Sequence, residues 1–266
     1  MTCDLHNHSC YSFDGSASVE ALCRAAIQHK IDILAITDHC DMTPGPEGFR
    51  SYLHGEPARL EEFARVQREL GDLELLYGVE IGNAIDMPAQ TADFLAKRRF
   101  DFIIGAIHFL PGGRDIYRLP YRSEEEIHGM FLRYFASVEA LVEQGGFDSL
   151  AHLDYPLRVL RGKVPAPSIA RYRDLVDPIL EKLVRREIAL EINTRGTYDW
   201  QHRVGPEEWV LARYRDLGGR YVTIGSDAHT ASRIGAGFED AAALLRRTGF
   251  ESFTVYRNRE PCQILL

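Results

Sequence analysis

Long apolar runs are absent from this sequence of 266 residues. The longest apolar stretches, residues 33–36 and 102–110, are much shorter than the roughly 20 residues that cross a bilayer. The N-terminal residues include neither the basic nor the apolar segment of a secretory signal. We therefore expect no membrane partner and a cytoplasmic location.

Paired cysteines and an excess of basic residues are also absent. The five cysteines form no CxxC pair, which is typical of free thiols in a reducing compartment. With 31 Lys+Arg against 39 Asp+Glu, the net charge is -8, which argues against a nucleic-acid polymer as partner. A small phosphorylated substrate stays possible, because a metal ion or a local arginine can override the mean charge. The sequence leaves the oligomeric state open, with a monomer as the default.

A glycine-rich phosphate loop is missing as well. Gly112 and Gly113 stand alone and match neither nucleotide-binding fingerprint. What the sequence does contain is a regular alternation of short β-like runs and longer helical patterns, which predicts βα units around a parallel sheet. Seven or eight such units in one domain, residues 1–266, favour a barrel over an open sheet. Residues 41–55 are interpreted as a long βα loop.

The predicted strands are Cys3–His6, Asp32–Thr37, Leu73–Glu80, Phe102–His108, Ser149–His152, Ile188–Ile192, Tyr221–Gly225 and Ser252–Tyr256. The predicted helices are Ser18–His29, Glu56–Leu70, Pro88–Lys97, Ser123–Gln144, Ser168–Arg186, Pro206–Leu217 and Asp240–Arg247.

Seven of the predicted strands end in a side chain that can bind a metal ion. Alternate residues of a strand share a face, so His6 and His8 point the same way. The groups at the other strand ends are His39, Glu80, His108, His152 with Asp154, Glu191 with Asn193, and Asp227 with His229. Strand ends of a βα barrel converge at one mouth, and imidazoles and carboxylates without thiolates suit Zn, Mn or Fe. The sequence therefore predicts a metal centre at that mouth.

The motifs that hold these residues, and their order along the chain, resemble those of the polymerase and histidinol phosphatase (PHP) family. The resemblance rests on Asp4-x-His6-x-His8, Thr37-Asp38-His39, Gly78-Val79-Glu80, His108-Phe109, His152-x-Asp154 and Ser226-Asp227-x-His229. Within the family, residues 105–109, Thr194 and the helical insert after His39 are most similar to the monofunctional histidinol-phosphate phosphatases. That group usually has a basic residue near Tyr198, and this departure leaves the substrate open. The resemblance implies an α/β fold, a distorted (β/α)7 TIM-like barrel, and a trinuclear metal centre that hydrolyses phosphoesters.

The resemblance also implies which residues hold the three divalent ions, Zn, Mn or Fe. It assigns His6, His8, Glu80 and Asp227 to the first ion, Glu80, His108 and His152 to the second, and Asp14, His39 and His229 to the third. Some family members have histidine where this chain has Asp14. The aspartate still supplies a ligand, but it adds negative charge to the site.

Divalent ions bound to these ligands would supply the chemistry for hydrolysis of a phosphoester. They lower the pKa of bound water, so we expect a metal-bound hydroxide, held by His6, His8, Glu80 and Asp227, to attack phosphorus. Because guanidinium pairs with phosphate in a bidentate manner, the candidates for phosphate binding are, in order, Arg158, Arg195 and Arg114.

Other carboxylates are candidates for supporting roles. Asp4, Asp38 and Asp154 are expected either to orient the ligating imidazoles or to cap loop amides. If the substrate is L-histidinol phosphate, its amine needs an acidic contact, for which Glu47, Asp86 and Asp115 lie in suitable loops. The sequence does not choose among these three.

Three alternatives stay open beside histidinol phosphatase. A PHP phosphatase could act on nucleotides or another small phosphoester. An amidohydrolase barrel also opens with HxH, but it requires a carboxylated lysine on the fourth strand, which here ends in His108. A non-catalytic barrel of the same family would have lost ligands, whereas all the expected ones are present here.

Overall fold

The computed structural model of this protein describes residues 1–43, 48–71, 73–118, 120–161, 168–199 and 202–266, and of Arg114 it describes only the backbone. The strands are Cys3–Asp4 (β1), Ile33–Ile36 (β2), His39–Asp41 (β3), Glu74–Gly82 (β4), Phe102–Ala106 (β5), Phe109–Leu110 (β6), Arg114–Asp115 (β7), Ser149–Leu150 (β8), Ala189–Asn193 (β9), Val222–Gly225 (β10), Ser252–Arg257 (β11) and Glu260–Leu265 (β12). The α-helices are Val19–Gln28 (α1), Phe49–Glu69 (α2), Pro88–Ala96 (α3), Glu124–Gln144 (α4), Arg173–Arg185 (α5), Arg195–Tyr198 (α6), Glu208–Asp216 (α7) and Phe238–Arg247 (α8).

A parallel sheet closes on itself to form a barrel. Its strands follow the order β1-β2-β4-β5-β8-β9-β10, and β3 continues alongside β4 beyond the end of β2. The first and last strands meet where the Leu5 N–H donates to the Ile224 carbonyl at 2.9 Å. A parallel bridge between Asn7 and Ala228 extends this closure. The predicted seven-stranded (β/α)7 barrel is confirmed.

Burial explains why these segments form the inner layer. All five residues of β5 are buried, which is typical of a parallel strand covered on both faces. In β9 the buried Glu191 and Asn193 alternate with Leu190 and Ile192, so one face of that strand is polar inside the protein. The helices pack outside this layer through apolar stripes, and α4 begins where the Ser123 hydroxyl accepts a hydrogen bond from the Glu126 N–H at 3.1 Å. In the described part of the chain no helix is both long and apolar enough to span a bilayer.

The strand predicted at Ser252–Tyr256 is present, but it lies outside the parallel barrel. This segment, β11, pairs antiparallel with β12 in a separate hairpin. The two strands are joined at Asn258 and Arg259, both of which have positive φ, the conformation of a two-residue turn that matches strand twist. Asn-Arg lacks the glycine that usually marks such a turn, so the sequence pattern hid the hairpin.

The expectation of a long loop over residues 41–55 is also wrong in part. Strand β3 reaches Asp41, and α2 begins at Phe49. The glycines and prolines of this region indicated a loop, but Gly55 and Pro57 both lie within α2. Residues 44–47, including Glu47, lie outside the described residues.

Candidate metal centre

Glu80, near the end of β4, lies at the centre of a cluster of imidazoles. Its side chain is completely buried. Its Oε1 atom lies 3.4 Å from His6 Nε2, 3.4 Å from His108 Nε2 and 3.0 Å from His152 Nε2. These histidines follow β1, β5 and β8, so the barrel order brings side chains from distant parts of the sequence to one carboxylate oxygen.

The other carboxylate oxygen of Glu80 faces a second group of histidines. Glu80 Oε2 lies 2.8 Å from His39 Nδ1 and 3.7 Å from His8 Nε2. The register of β3 against β4 pairs His39 with Glu80, which explains the short distance. Glu80 therefore lies between two sets of imidazoles and is suited to bridge two metal ions.

Asp14 and Asp227 are the remaining carboxylates of the cluster, and both line the pocket at the mouth of the barrel. Asp14 Oδ2 lies 2.9 Å from His229 Nε2, and Asp14 Oδ1 lies 3.5 Å from His39 Nε2. Asp227 Oδ1 lies 3.5 Å from His8 Nε2 and 3.4 Å from His229 Nδ1. The structure thus brings together all the metal-ligand candidates predicted from the sequence.

The residues present fit a metal centre. The buried atoms His6 Nε2 and His8 Nε2 make no hydrogen bond to a described residue, and Glu80 Oε2 makes none of suitable geometry despite its closeness to His39. Leaving buried polar atoms unsatisfied is costly, and a shared cation would satisfy them all at once. One ligand atom each from His8, His39 and His229 lies within 4.8 Å of the others, as do those of His6, His8 and Glu80. Imidazole and carboxylate donors of this kind suit Zn, Mn or Fe.

Charge pairing inside the cluster shifts its pKa values. Burial alone would raise the pKa of Glu80, but His6, His108 and His39 hold it well below its usual range. Burial opposes the charged form of His6, yet Glu191 and Glu80 raise its pKa well above the usual value. In the metal-free cluster His6 and Glu80 therefore favour their charged forms, and a cation that binds His6 must displace a proton from it.

Two carboxylates that the sequence analysis did not assign to this role orient the candidate ligands. Glu191 Oε1 lies 2.6 Å from His6 Nδ1, and its Oε2 accepts the His152 N–H at 2.7 Å. Asp41 Oδ1 lies 2.8 Å from His108 Nδ1. A hydrogen bond at the far nitrogen of an imidazole fixes which nitrogen is left to bind a metal. For Glu191, the sequence signal for such a role was its position at a strand end. Asp41 had no such signal, because it was predicted to lie in a loop.

The carboxylates named for this role in the sequence analysis lie elsewhere. Asp4 accepts hydrogen bonds from the N–H groups of Ser226 and Gly235, and burial raises its pKa. Asp38 accepts from the hydroxyls of Ser9 and Ser12, and its contact with the histidines is indirect. The Ser12 hydroxyl lies 3.4 Å from His8 Nδ1 and accepts the His39 N–H at 3.0 Å. Asp154 packs against Gly205, where an added Cβ would lie 2.7 Å from both carboxylate oxygens.

A pocket of about 500 Å³ opens directly over the cluster. Several of the candidate ligands line it together with four arginines, namely Arg118, Arg158, Arg161 and Arg195. The Arg158 guanidinium lies between two aromatic rings, 5.2 Å from the Tyr155 centroid and 5.4 Å from that of Tyr117. Guanidinium groups from four arginines beside the candidate metal ligands make this pocket suitable for a phosphate group.

Arg195 makes the most contacts of these arginines. Its Nη1 lies 3.0 Å from Asp227 Oδ1 and 2.9 Å from His229 Nδ1. It begins α6, and the nearby Tyr198 hydroxyl donates to the Ser226 carbonyl at 2.7 Å, which holds this short helix against the end of β10. The tyrosine at this departure from the family pattern therefore has a structural role here. The side chain of Arg114, the third phosphate candidate, lies outside the described residues.

Comparisons with known proteins agree with this geometry. The PHP domain family model matches residues 4–195. A protein of Thermotoga maritima named probable histidinol-phosphatase is 32% identical over 255 residues, which covers 95% of this chain and 94% of the relative. A histidinol-phosphatase of Lactococcus lactis is 27% identical over 259 residues, covering 95% and 93%. The crystal structure of histidinol phosphate phosphatase from Lactococcus lactis, complexed with zinc, L-histidinol and phosphate, superposes with a TM-score of 0.83 at 25% identity and covers 98% of each chain.

Proposed function

The chain belongs to the PHP domain family, and on this premise we propose that it is a metal-dependent phosphomonoesterase that hydrolyses L-histidinol phosphate to L-histidinol and phosphate. Two histidinol-phosphatases that match it over nearly their whole length support this proposal. So does a solved relative that holds zinc, L-histidinol and phosphate. In this chain, the observation that carries the proposal is the imidazole cluster around Glu80 beneath a pocket lined by four arginines.

We assign three divalent metal ions, Zn, Mn or Fe, to the cluster and take residues 1–266 as one phosphoesterase domain. The proposed ligands are His6, His8, Glu80 and Asp227 for the first ion, Glu80, His108 and His152 for the second, and Asp14, His39 and His229 for the third. The contacts of Glu80 with imidazoles on both oxygens support its role as the bridge. The close spacing of ligand atoms from His6, His8 and Glu80, and from His8, His39 and His229, supports metal binding at this cluster.

When bound, such ions supply a nucleophilic water at neutral pH and offset the negative charge of the phosphoryl oxygens. The protein positions the ligands for this task. Glu191 and Asp41 fix the far nitrogens of His6 and His108, which keeps the near nitrogens directed at Glu80. Arg195 and Arg158 then bind phosphate oxygens that face the pocket.

The test is the release of phosphate from L-histidinol phosphate with zinc or manganese present. An aryl phosphate and a nucleoside 3′,5′-bisphosphate serve as comparison substrates. We expect kcat/KM for L-histidinol phosphate to exceed both by about a hundredfold or more, because the site has polar groups that the other substrates leave unpaired. Comparable slow turnover of all three would refute the substrate assignment and favour a less selective phosphoesterase.

Two histidine variants test the metal site itself. His108→Asn removes a proposed ligand, so we expect loss of bound zinc together with loss of activity. His54→Asn is the matched control, because His54 is exposed on α2 and should retain both zinc and activity. Full activity in His108→Asn would refute the assigned ligands.

A further inference from the structure

The pocket is lined by both arginines and carboxylates, and one of the carboxylates pairs with two of the arginines. Asp199 lies between two guanidinium groups, with its Oδ1 2.8 Å from Arg161 Nη1 and its Oδ2 3.4 Å from Arg195 Nε. Its negative charge is therefore matched by positive charge on both sides. This part of the pocket keeps a net positive charge and suits the phosphate end of a substrate.

Asp115 differs from the other carboxylates in the described pocket wall. Asp14 and Asp227 are proposed metal ligands, Asp41 holds a ligand imidazole, and Asp199 is shared by arginines. Asp115 has none of these roles. Arg118, which also lines the pocket, lies with its Nε 3.0 Å from Asp115 Oδ2, and its side chain is 67% exposed. Because the arginine of this pair is largely exposed, water screens the interaction, and Asp115, whose own side chain is 24% exposed, can still bind a cation from solution.

The β6–β7 hairpin fixes Asp115 next to the candidate metal centre. Asp115 pairs with Phe109 across the hairpin, and the Ile116 N–H donates to the His108 carbonyl at 3.1 Å. The Tyr117 N–H donates to Asp115 Oδ1 at 2.8 Å, which sets the orientation of the carboxylate. A negative charge is thus held on the loop that follows a proposed metal ligand.

We propose that Asp115 binds the protonated amino group of the substrate and makes the site selective for phosphomonoesters that bear an amine. The inference rests on the proposed function, because L-histidinol phosphate has an ammonium group near its phosphate. Of the other two acidic residues considered from the sequence, Asp86 accepts a hydrogen bond from Asn83 Nδ2 at 3.0 Å and lies outside the pocket wall. Glu47 lies outside the described residues.

The test compares two substrates that differ only in the amine, L-histidinol phosphate and 3-(imidazol-4-yl)propyl phosphate. Asp115→Asn keeps the shape of the side chain and removes its charge. We expect kcat/KM for L-histidinol phosphate to fall about 10- to 100-fold, the range for a lost hydrogen bond to a charged group, while kcat/KM for the amine-free substrate stays within about twofold. Asp115→Glu, which restores the charge, should recover part of the discrimination.

Asp199→Asn is the matched control variant. Because Asp199 contacts the arginines, its replacement should change kcat/KM for both substrates by the same factor. Equal losses on both substrates in a folded Asp115→Asn protein, or no loss on either, would overturn the role of Asp115. A wild-type enzyme that hydrolyses both substrates equally well would also overturn it. Hydrolysis of the aryl phosphate with no turnover of either imidazole substrate would instead overturn the proposed function, and this inference with it.

Discussion

Replacing Glu191 with glutamine should weaken zinc binding although Glu191 is not a proposed ligand. The Glu191 carboxylate accepts at both ends, since Oε1 lies 2.6 Å from His6 Nδ1 and Oε2 accepts the His152 N–H at 2.7 Å. A glutamine has one oxygen and one NH2 group, so it can accept at one end only. If the NH2 group faces His152, two donors oppose each other. If it faces His6, then His6 Nδ1 must accept, the proton moves to Nε2, and the nitrogen directed at Glu80 can no longer bind a metal.

Either orientation of the glutamine side chain is expected to lower the affinity of the protein for zinc. Loss of a residue that orients a metal ligand typically lowers affinity or activity by about 10- to 100-fold, which is about 1.4–2.7 kcal/mol. The assay is a zinc titration of chelator-treated protein against a competing fluorescent chelator, with phosphatase activity measured at limiting zinc. Glu143→Gln serves as the control, because that side chain is 55% exposed on α4. Zinc affinity equal to wild type in a folded Glu191→Gln protein would refute this reasoning.

Two further predictions concern stability. In the metal-free protein the pKa values of His6, His39 and His108 are raised, because nearby carboxylates outweigh the burial that opposes their charge. The stability that these charges contribute is complete below the unfolded histidine pKa of about 6.5 and is lost as pH rises through the folded values. The Tm of chelator-treated protein should therefore fall as pH rises above about 6.5, and a Tm that rises over this range would contradict the assignment. Separately, Gly105→Ala should lower the free energy of unfolding by about 1–3 kcal/mol in urea titrations, because the new Cβ would lie 2.6 Å from the Phe147 ring. An unchanged urea midpoint would show that the ring can move aside.

The alternation of strands and helices predicted the barrel, and the residue types at the strand ends predicted that candidate ligands meet at its mouth. His6 and His8 alternate along one strand direction, and Glu80 and His108 end buried strands, so a parallel barrel places them at one mouth. That inference depends only on hydrophobic periodicity and on which end of a parallel strand faces the site. It does not require knowledge of the rotamers of individual side chains.

Side-chain partners depend on register, which periodicity does not reveal. Asp41 reaches His108 because β3 continues beside β4, where Asp41 pairs with Gly82. An added Cβ on Gly82 would collide with the Asp41 carboxylate, so glycine is what allows this close approach. Nothing in the order of residues 39–41 indicates that they form a strand, and the prolines and glycines that follow favoured a loop. The sequence could thus predict a metal site, while the residues that orient its ligands required the structure.

The closure of the barrel also determines when the site can form during folding. His6 and His8 follow the first strand of the barrel, whereas Asp227 and His229 follow the last. Hydrogen bonds from Leu5 to Ile224 and from Ser226 to Asp4 join these two ends of the sequence. During synthesis, a growing chain therefore has no complete first metal site until the final barrel strand has been made and has paired with the first. An ion held by both His8 and Asp227 would link the two ends of the barrel, so that metal loading and retention of the closed barrel stabilise each other.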